Sequence, residues 1–359
     1  MSEHVGAKLE FGAKLEFGLF SHIEKSSGSP ALDVLYNEHI AFIKEAERAG
    51  FWGYHLAEHH ATPLSMTPSP GLFLAALARE TSRIRLGPMV YLLPFYNPLR
   101  LIYEICMLDN LSGGRLEIGV GRGINVYEHQ FYRINTLEAR EIFEESLEVI
   151  LKGLTHERLK HHGAHFRFDD VPVMDLRPMQ RPYPGLWYGA LNDNSIAFAA
   201  RRGMNVGSGG PTPALKRWIE LYRRTRAEYA NSPENLQPHI AEPKIGPLRF
   251  VYLDQNERRA ESTARAAYET YERNINKLVN DYGLSDLRVT IPYDVMREAG
   301  AMIVGSAERV LDEIAHQHAE AGFNYILMNM KFGSLTAAES MGSLELFVSK
   351  VMPALAARR

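Results

Sequence analysis

The chain has 359 residues, a formal net charge of −3, 45% apolar and 23% charged residues, and one cysteine. Its length suits two domains or one large α/β domain, and a balance this near neutral provides no basic field for nucleic acid or an anionic membrane surface. The lone thiol, Cys106, excludes an internal disulfide and any CxxC metal or redox motif; in the apolar run LIYEICMLDNL it reads as a small buried residue.

The N-terminus MSEHVGAKLE lacks the basic-then-apolar order of a secretory signal, and no window approaches the roughly 18 apolar residues of a membrane span. A cytoplasmic protein without membrane contact is expected. Residues 6–11 repeat as 12–17, so the first copy reads as a tail over 1–13 and the second as the start of a single domain over 14–359. LEFGLF is the first strand candidate. A helix over 34–49 follows, with Leu35, Phe42, Ile43 and Ala46 near one face and Gly50 at its end. GYHLAE is the second strand, PGLFLAALARE a helix opened by Pro70, and RIRLGPMVYLL the third strand. The helix in NPLRLIYEICMLDNLSGG carries proline in its first turn and glycines beyond its last. RLEIGVG is the fourth strand, and the helix over 137–154 sets Ile142, Phe143, Leu147, Ile150, Leu151 and Leu154 at helical spacing. Residues 155–185 interrupt the rhythm as an excursion from the core. GLWYGA, MNVGSG, IGPLRFVYL and NYILMNM complete the strands. Helices are expected in NSIAFAARRG, over 213–229 and 257–279, in SAERVLDEIAHQHAEAG and through LELFVSKVMPAL, while 280–304 loses periodicity.

Eight strand–helix units in order imply a parallel sheet, and the length fits a (β/α)8 TIM barrel with insertions after strands 4 and 7. A doubly wound sheet is the alternative. Its phosphate fingerprint is missing: GVGRGIN has glycines at 119, 121 and 123, with Ile124 where the dinucleotide loop needs its third, and no GxxxxGK[ST] loop occurs.

In such a barrel the active site is built from the C-terminal ends of the strands. Three groups qualify. Glu58-His59-His60 follows strand 2, where an imidazole either moves protons near neutral pH or simply bonds a neighbouring carbonyl. A catalytic metal is not expected, since barrel zinc sites need three or more ligands; strand 1 supplies His22, but strand 8 ends in Asn329 with no carboxylate. GVGRGINVYEH follows strand 4. Its glycines let backbone approach a planar ligand and Arg122 offers phosphate a bidentate fork, unless the stretch is a Gly-rich turn with a solvated arginine. GALNDNS follows strand 5, with Asn192, Asn194 and Ser195 at a helix start that is either an anion seat or a plain N-cap. His156, His161, His162 and His165 in HERLKHHGAH lack a helix to carry them and read as solvated loop.

Together, LAEHH with TPSP after it, SRIRLGPMVYLLPFYNPLRLIYEICMLDNLSGGRLEIGVGRG, LRPMQRPYPGLWYGA and IVGSAERVLDEI resemble the bacterial luciferase-like flavin-dependent monooxygenases, over residues 15–355. The resemblance implies FMN, delivered as FMNH2 by a separate flavin reductase, with O2 as co-substrate. A C4a-(hydro)peroxyflavin would oxidise a small organic, apolar or aromatic substrate. It also implies roles: His59 in proton transfer beside the flavin, Met89 and Val90 under the isoalloxazine and often joined by a cis peptide, and Arg122 at the phosphate with Arg140 assisting. Gly121 and Ala190 join the cofactor set, Leu191 through backbone alone, and Asn192 and Ser195 match phosphate-binding positions. Three departures argue against light emission and a long-chain aldehyde: Gly121 replaces a reactive cysteine, Asn125 a tyrosine and Leu191 an acid. Tyr91, Phe95, Tyr96 and Trp187 either line a substrate pocket near the mouth or pack the core and a dimer face. The 280–304 stretch is a lid or a surface loop, and a homodimer is expected through the helices after strands 2 and 3. Two alternatives stay open: deazaflavin-dependent hydride transfer, and a non-catalytic flavin-binding subunit, which the presence of both His59 and Arg122 disfavours.

Overall fold

The computed structural model describes residues 14–173, 175–283, 288 and 291–357, so the expected tail and part of the 280–304 stretch lie outside the described residues. In chain order come β1 (Glu16–Ser21), α1 (Leu32–Ala49), β2 (Gly53–Leu56), α2 (Pro70–Glu80), β3 (Arg85–Pro88), β4 (Tyr91–Leu92), α3 (Pro98–Leu111) and β5 (Glu117–Gly121). Then follow α4 (Val126–Phe131), α5 (Ala139–Thr155), β6 (Arg158–His162), β7 (Arg167–Pro172), β8 (Gly185–Gly189), α6 (Asp193–Arg201), β9 (Asn205–Ser208) and α7 (Thr212–Glu228). The last part holds β10 (Ile245–Leu253), α8 (Glu257–Ile275), α9 (Lys277–Tyr282), α10 (Tyr293–Glu298), β11 (Met302–Gly305), α11 (Ala307–Ala321), β12 (Tyr325–Asn329), α12 (Ala337–Leu346) and α13 (Met352–Ala357).

Local chemistry accounts for the boundaries. α1 buries Leu35, Phe42, Ile43 and Ala46 and stops where Gly50 takes a φ of 90°. α3 begins at Pro98, and the Asn97 side chain accepts from the N–H groups of Leu99 and Arg100. The strands pair in parallel: β1 lies between β2 and β12, β10 between β12 and β9, and β8 between β9 and β5. β2 pairs β3, β4 pairs β5, and a Leu86–Leu116 bridge joins the two ends, closing the ring. The expected strands all occupy ring positions, the third being split at Met89-Val90 into β3 and β4. They were legible because strands buried on both faces read as short continuous apolar runs.

Three features depart from expectation. The excursion after α5 contains an antiparallel hairpin, β6–β7, whose first strand buries only Leu159 and His161. Its sequence is too polar to register as strand. The 280–304 stretch contributes β11, parallel to the second half of β10; a four-residue apolar run has no period to reveal it. The helix expected over 257–279 divides at Asn276 into α8 and α9.

Phe20, Ala57, Trp187, Tyr325 and Leu327 fill the ring, with Met89 and Leu248 partly exposed beside them. At the N-terminal end Trp187 Nε1 donates to Glu117 Oε2 at 2.6 Å, Glu117 pairs with Arg85, and Lys244 pairs with Glu16. Trp187 is therefore part of a closed base and does not line the mouth. Tyr91, fully buried, donates to Glu104 at 3.1 Å and is packing as well. With the base sealed, the C-terminal rim is where a ligand can enter. Among the described residues no helix is long and apolar enough to cross a membrane.

Candidate active site

The loop after β2 delivers three consecutive polar side chains to the rim and sends them to different partners. His59 Nδ1 lies 3.2 Å from Glu128 Oε1 on α4, and the same oxygen accepts the His60 N–H at 2.9 Å. Burial pushes the Glu128 carboxyl up, but hydrogen bonds and charge from His59 and His60 outweigh it and hold the group below its ordinary range. A carboxylate at Nδ1 fixes the proton there, leaving His59 Nε2 with no hydrogen-bond partner among the described residues; the side chain is 20% exposed.

His60 and Glu58 brace the loop. His60 Nε2 donates to Glu58 Oε1 at 2.8 Å, and the Tyr132 hydroxyl lies 2.8 Å from His60 Nδ1. Glu58 Oε2 accepts from the Leu92 N–H at 3.2 Å and the Tyr96 hydroxyl at 2.9 Å, tying the loop to β4. Phe95 stacks on Tyr132 with centroids 4.5 Å apart. Tyr96 is thus occupied by the brace. Beneath His59 lies the His22 ring, centroids 5.6 Å apart and 29° from parallel. Burial, then the charge of His59, hold His22 well below the ordinary histidine range, so it is neutral at pH 7. Glu24 accepts from the Gly333 N–H at 2.8 Å and from Asn274 Nδ2 at 2.9 Å, and burial pushes its carboxyl up to about 7.

The second half of the site follows β5. A Cβ on Gly119 would stand 2.1 Å from the Pro88 carbonyl oxygen, and one on Gly121 2.4 Å from Val90 Cγ2. These glycines admit the neighbouring strand, where a planar ligand was expected. The Met89–Val90 peptide is cis. The Arg122 side chain is exposed and has no carboxylate within ion-pair distance among the described residues, while its carbonyl accepts from His129 Nε2 at 3.0 Å. Arg140 is paired with Glu144 at 3.0 Å; its charge and that of Arg122 both act on Tyr188 at the end of β8.

Asn192 and Ser195 close a capping box at the start of α6: Asn192 Oδ1 accepts from the Ser195 N–H, and Ser195 Oγ from the Asn192 and Leu191 N–H groups, at 3.0–3.1 Å. Their side chains are thus engaged as caps, and the box leaves the next two N–H groups, of Asp193 and Asn194, outside it. Ala190 is buried and donates its N–H to the Gly207 carbonyl at 3.0 Å, whereas Leu191 is 61% exposed.

Elsewhere, His161 pairs with Glu145 at 3.1 Å and His162 with Asp169 at 2.8 Å. Among the described residues no group of three or more His, Cys, Asp or Glu could hold a metal ion. The residue that sequence reasoning missed is Glu128. It stands on a six-residue helix, 69 positions from His59, and only the three-dimensional contact reveals its role.

Comparison with known proteins supplies the context. The family model for luciferase-like monooxygenases matches residues 15–325. The oxygenase component of a flavin-dependent trigonelline monooxygenase from Acinetobacter baylyi is 30% identical, over 94% of this chain and 94% of its own. The solved monooxygenase RslO1 from Streptomyces bottropensis superposes with a TM-score of 0.82 at 25% identity, covering 95% of this chain and 99% of its own. Two more distant structures share the fold. The FMN-bound oxygenating constituent of 3,6-diketocamphane monooxygenase from Pseudomonas putida has a TM-score of 0.77 at 21% identity, with 94% and 98% covered. An F420-dependent secondary alcohol dehydrogenase has 0.71 at 17%, with 95% and 99% covered.

Proposed function

The chain belongs to the luciferase-like monooxygenase family, and from that premise we propose that it is the oxygenase of a two-component system, taking FMNH2 from a separate flavin reductase and using O2 to oxidise a small organic substrate. The observation that carries this reading is α4. Its adjacent residues Glu128 and His129 hold His59 and the Arg122 carbonyl respectively, so one short helix registers a proton-handling imidazole against the residue that bears an exposed guanidinium.

The residues present fit FMN. Among the described residues the exposed Arg122 side chain has no carboxylate partner, which leaves it to fork onto a phosphate, and the first N–H groups of α6 favour the same anion. Arg140 adds charge at that corner, and Asn192 and Ser195 shape it by holding the helix start. Met89 and Val90, the latter packed into the room that Gly121 leaves, would supply the surface under the ring, and Ala190 and Leu191 the backbone beside it. Reduced FMN, when bound, supplies the electrons that activate O2 at its C4a position. His59 Nε2 takes or returns the proton, Glu128 keeps that nitrogen available, and neutral His22 backs the His59 imidazole.

The test is anaerobic titration with reduced FMN and, separately, reduced deazaflavin, followed by rapid mixing with oxygenated buffer. Tighter binding of reduced FMN and a transient flavin absorbance on mixing are expected. Preference for the deazaflavin with no oxygen reaction would overturn the oxygenase reading in favour of hydride transfer. Neither binding would reduce the chain to the fold alone.

A further inference from the structure

Beside His59, between the loop after β2, the loop after β5 and the α8–α9 junction, lies a cavity of about 130 Å³. Leu64, Ile124, Val126, Ile275 and Val279 give it an apolar wall drawn from three separate segments, with His59 on one side. The remaining polar wall residues have hydrogen bonds turned into the protein. Thr62 Oγ1 donates to the Asn274 carbonyl at 2.8 Å, Asn125 Oδ1 accepts from the Tyr127 N–H at 2.9 Å, and Asn276 Nδ2 donates to the Glu272 carbonyl at 2.9 Å. Among the described residues no Asp, Glu, Lys or Arg lines the space. His59 Nδ1 is held by Glu128, so Nε2 is the polar atom this imidazole has left for an occupant.

Size and polarity then select the ligand. An apolar protein cavity of about 150 Å³ takes a benzene molecule, so this one holds a single six-membered ring or a branched group of similar bulk. An extended chain fills it only with its first few carbons. A charged group would lose hydration with no counter-charge in the wall, which favours a neutral occupant. We propose that this cavity seats the substrate, and that the substrate is a neutral, compact cyclic or branched molecule with one oxygen function directed at His59 Nε2. The assignment rests on the reading of His59 as the proton-handling group. It narrows the substrate class from any small organic molecule to a compact neutral alcohol, which donates to the bare Nε2, or a carbonyl compound, which accepts from Nε2 once that nitrogen has taken its proton.

The experiment is a ligand-observed NMR titration of the full chain with cyclohexanone and with cyclohexylammonium, repeated on Ile124→Trp. Ile124 is 69% exposed, so the added bulk is accommodated without disturbing the core, while the indole closes over the cavity. Val279→Phe, filling the same space from α9, is the second variant, and a thermal melt of each verifies folding. Cyclohexanone is expected to bind the wild-type chain at least tenfold more tightly than the ammonium compound, and to lose at least tenfold on either substitution. Equal affinity for the two probes, no cyclohexanone binding, or binding that survives both substitutions overturns the assignment. The wild-type titration with reduced FMN separates the two levels. Cyclohexanone binding without flavin binding removes the oxygenase reading and leaves the cavity; flavin binding with cyclohexanone insensitive to both substitutions removes the cavity alone.

Discussion

At the scale of single residues, His59 and Arg122 have separable jobs. His59→Ala removes a proton carrier but no phosphate contact, so reduced-FMN affinity should hold while turnover falls about 10²–10⁴-fold in single-turnover kinetics; unchanged turnover would take His59 out of the chemistry. Arg122→Ala should cost FMN about 1.5–3 kcal/mol, roughly ten- to a hundredfold, and leave riboflavin, which lacks the phosphate, little affected. Equal losses for both flavins would remove Arg122 from the phosphate seat. Glu24 predicts a pH effect on the fold. Its carboxyl is raised from 4.5 to about 7 by burial, opposed by the hydrogen bonds from Gly333 and Asn274. The folded state therefore holds this proton more tightly than the unfolded chain. The stability it contributes is complete below pH 4.5 and is lost as pH rises through about 7, amounting to about 3–4 kcal/mol at 1.4 kcal/mol per pH unit. Glu24→Gln should abolish that loss, so denaturant melts of variant and wild type should diverge by this amount between pH 4.5 and 8. A constant difference across the range would mean that Glu24 titrates normally.

At the scale of elements, α4 and α6 explain why the site was only half legible. The start of α6 was readable because Asn192, Asn194 and Ser195 are cap residues at a strand-to-helix turn, and the capping box is there. Sequence left open whether those side chains serve a ligand or the helix, and in the structure those of Asn192 and Ser195 cap the helix. Asn192→Ala should therefore lower the unfolding free energy by about 1 kcal/mol, and through the loosened helix start should weaken FMN more than riboflavin. Loss of stability with FMN affinity intact would show that the α6 N-terminus does not seat the phosphate. α4 has six residues and no pattern long enough to read, yet Glu128, His129 and Tyr132 just past it connect the two halves of the rim. Likewise β6, β7 and β11 are brief or polar, and each is a strand because a partner strand is available to it.

At the scale of the molecule, the sealed base and open rim assign stability to one end of the barrel and chemistry to the other. Trp187, Glu117, Arg85, Glu16 and Lys244 close the base, so truncating any of them should show in melting temperature before flavin affinity. α2 and α3, the helices after the second and third ring strands, leave Leu72 77% and Met107 54% exposed. Apolar side chains this open on adjacent helices suit a second copy of the chain. Light scattering should accordingly return twice the chain mass of 40.6 kDa, and Leu72→Glu with Met107→Glu should return it once. A monomeric wild-type protein would refute the homodimer.

What the sequence by itself determined is the part set by local, repeating physics. Buried parallel strands must be apolar on both faces, helices must bury one stripe, and turns need glycine, proline or a cap, so the (β/α)8 order and the rim positions of His59, Arg122 and Asn192 were all readable. What only the tertiary structure decided is the pairing of groups far apart in the chain. Glu128 against His59, His22 beneath it, Trp187 at the base and the apolar wall from Leu64 to Val279 have no local signature. Each depends on the ring closing so that distant loops meet at one end. An isolated polar residue carries no mark of the partner that closure will bring to it.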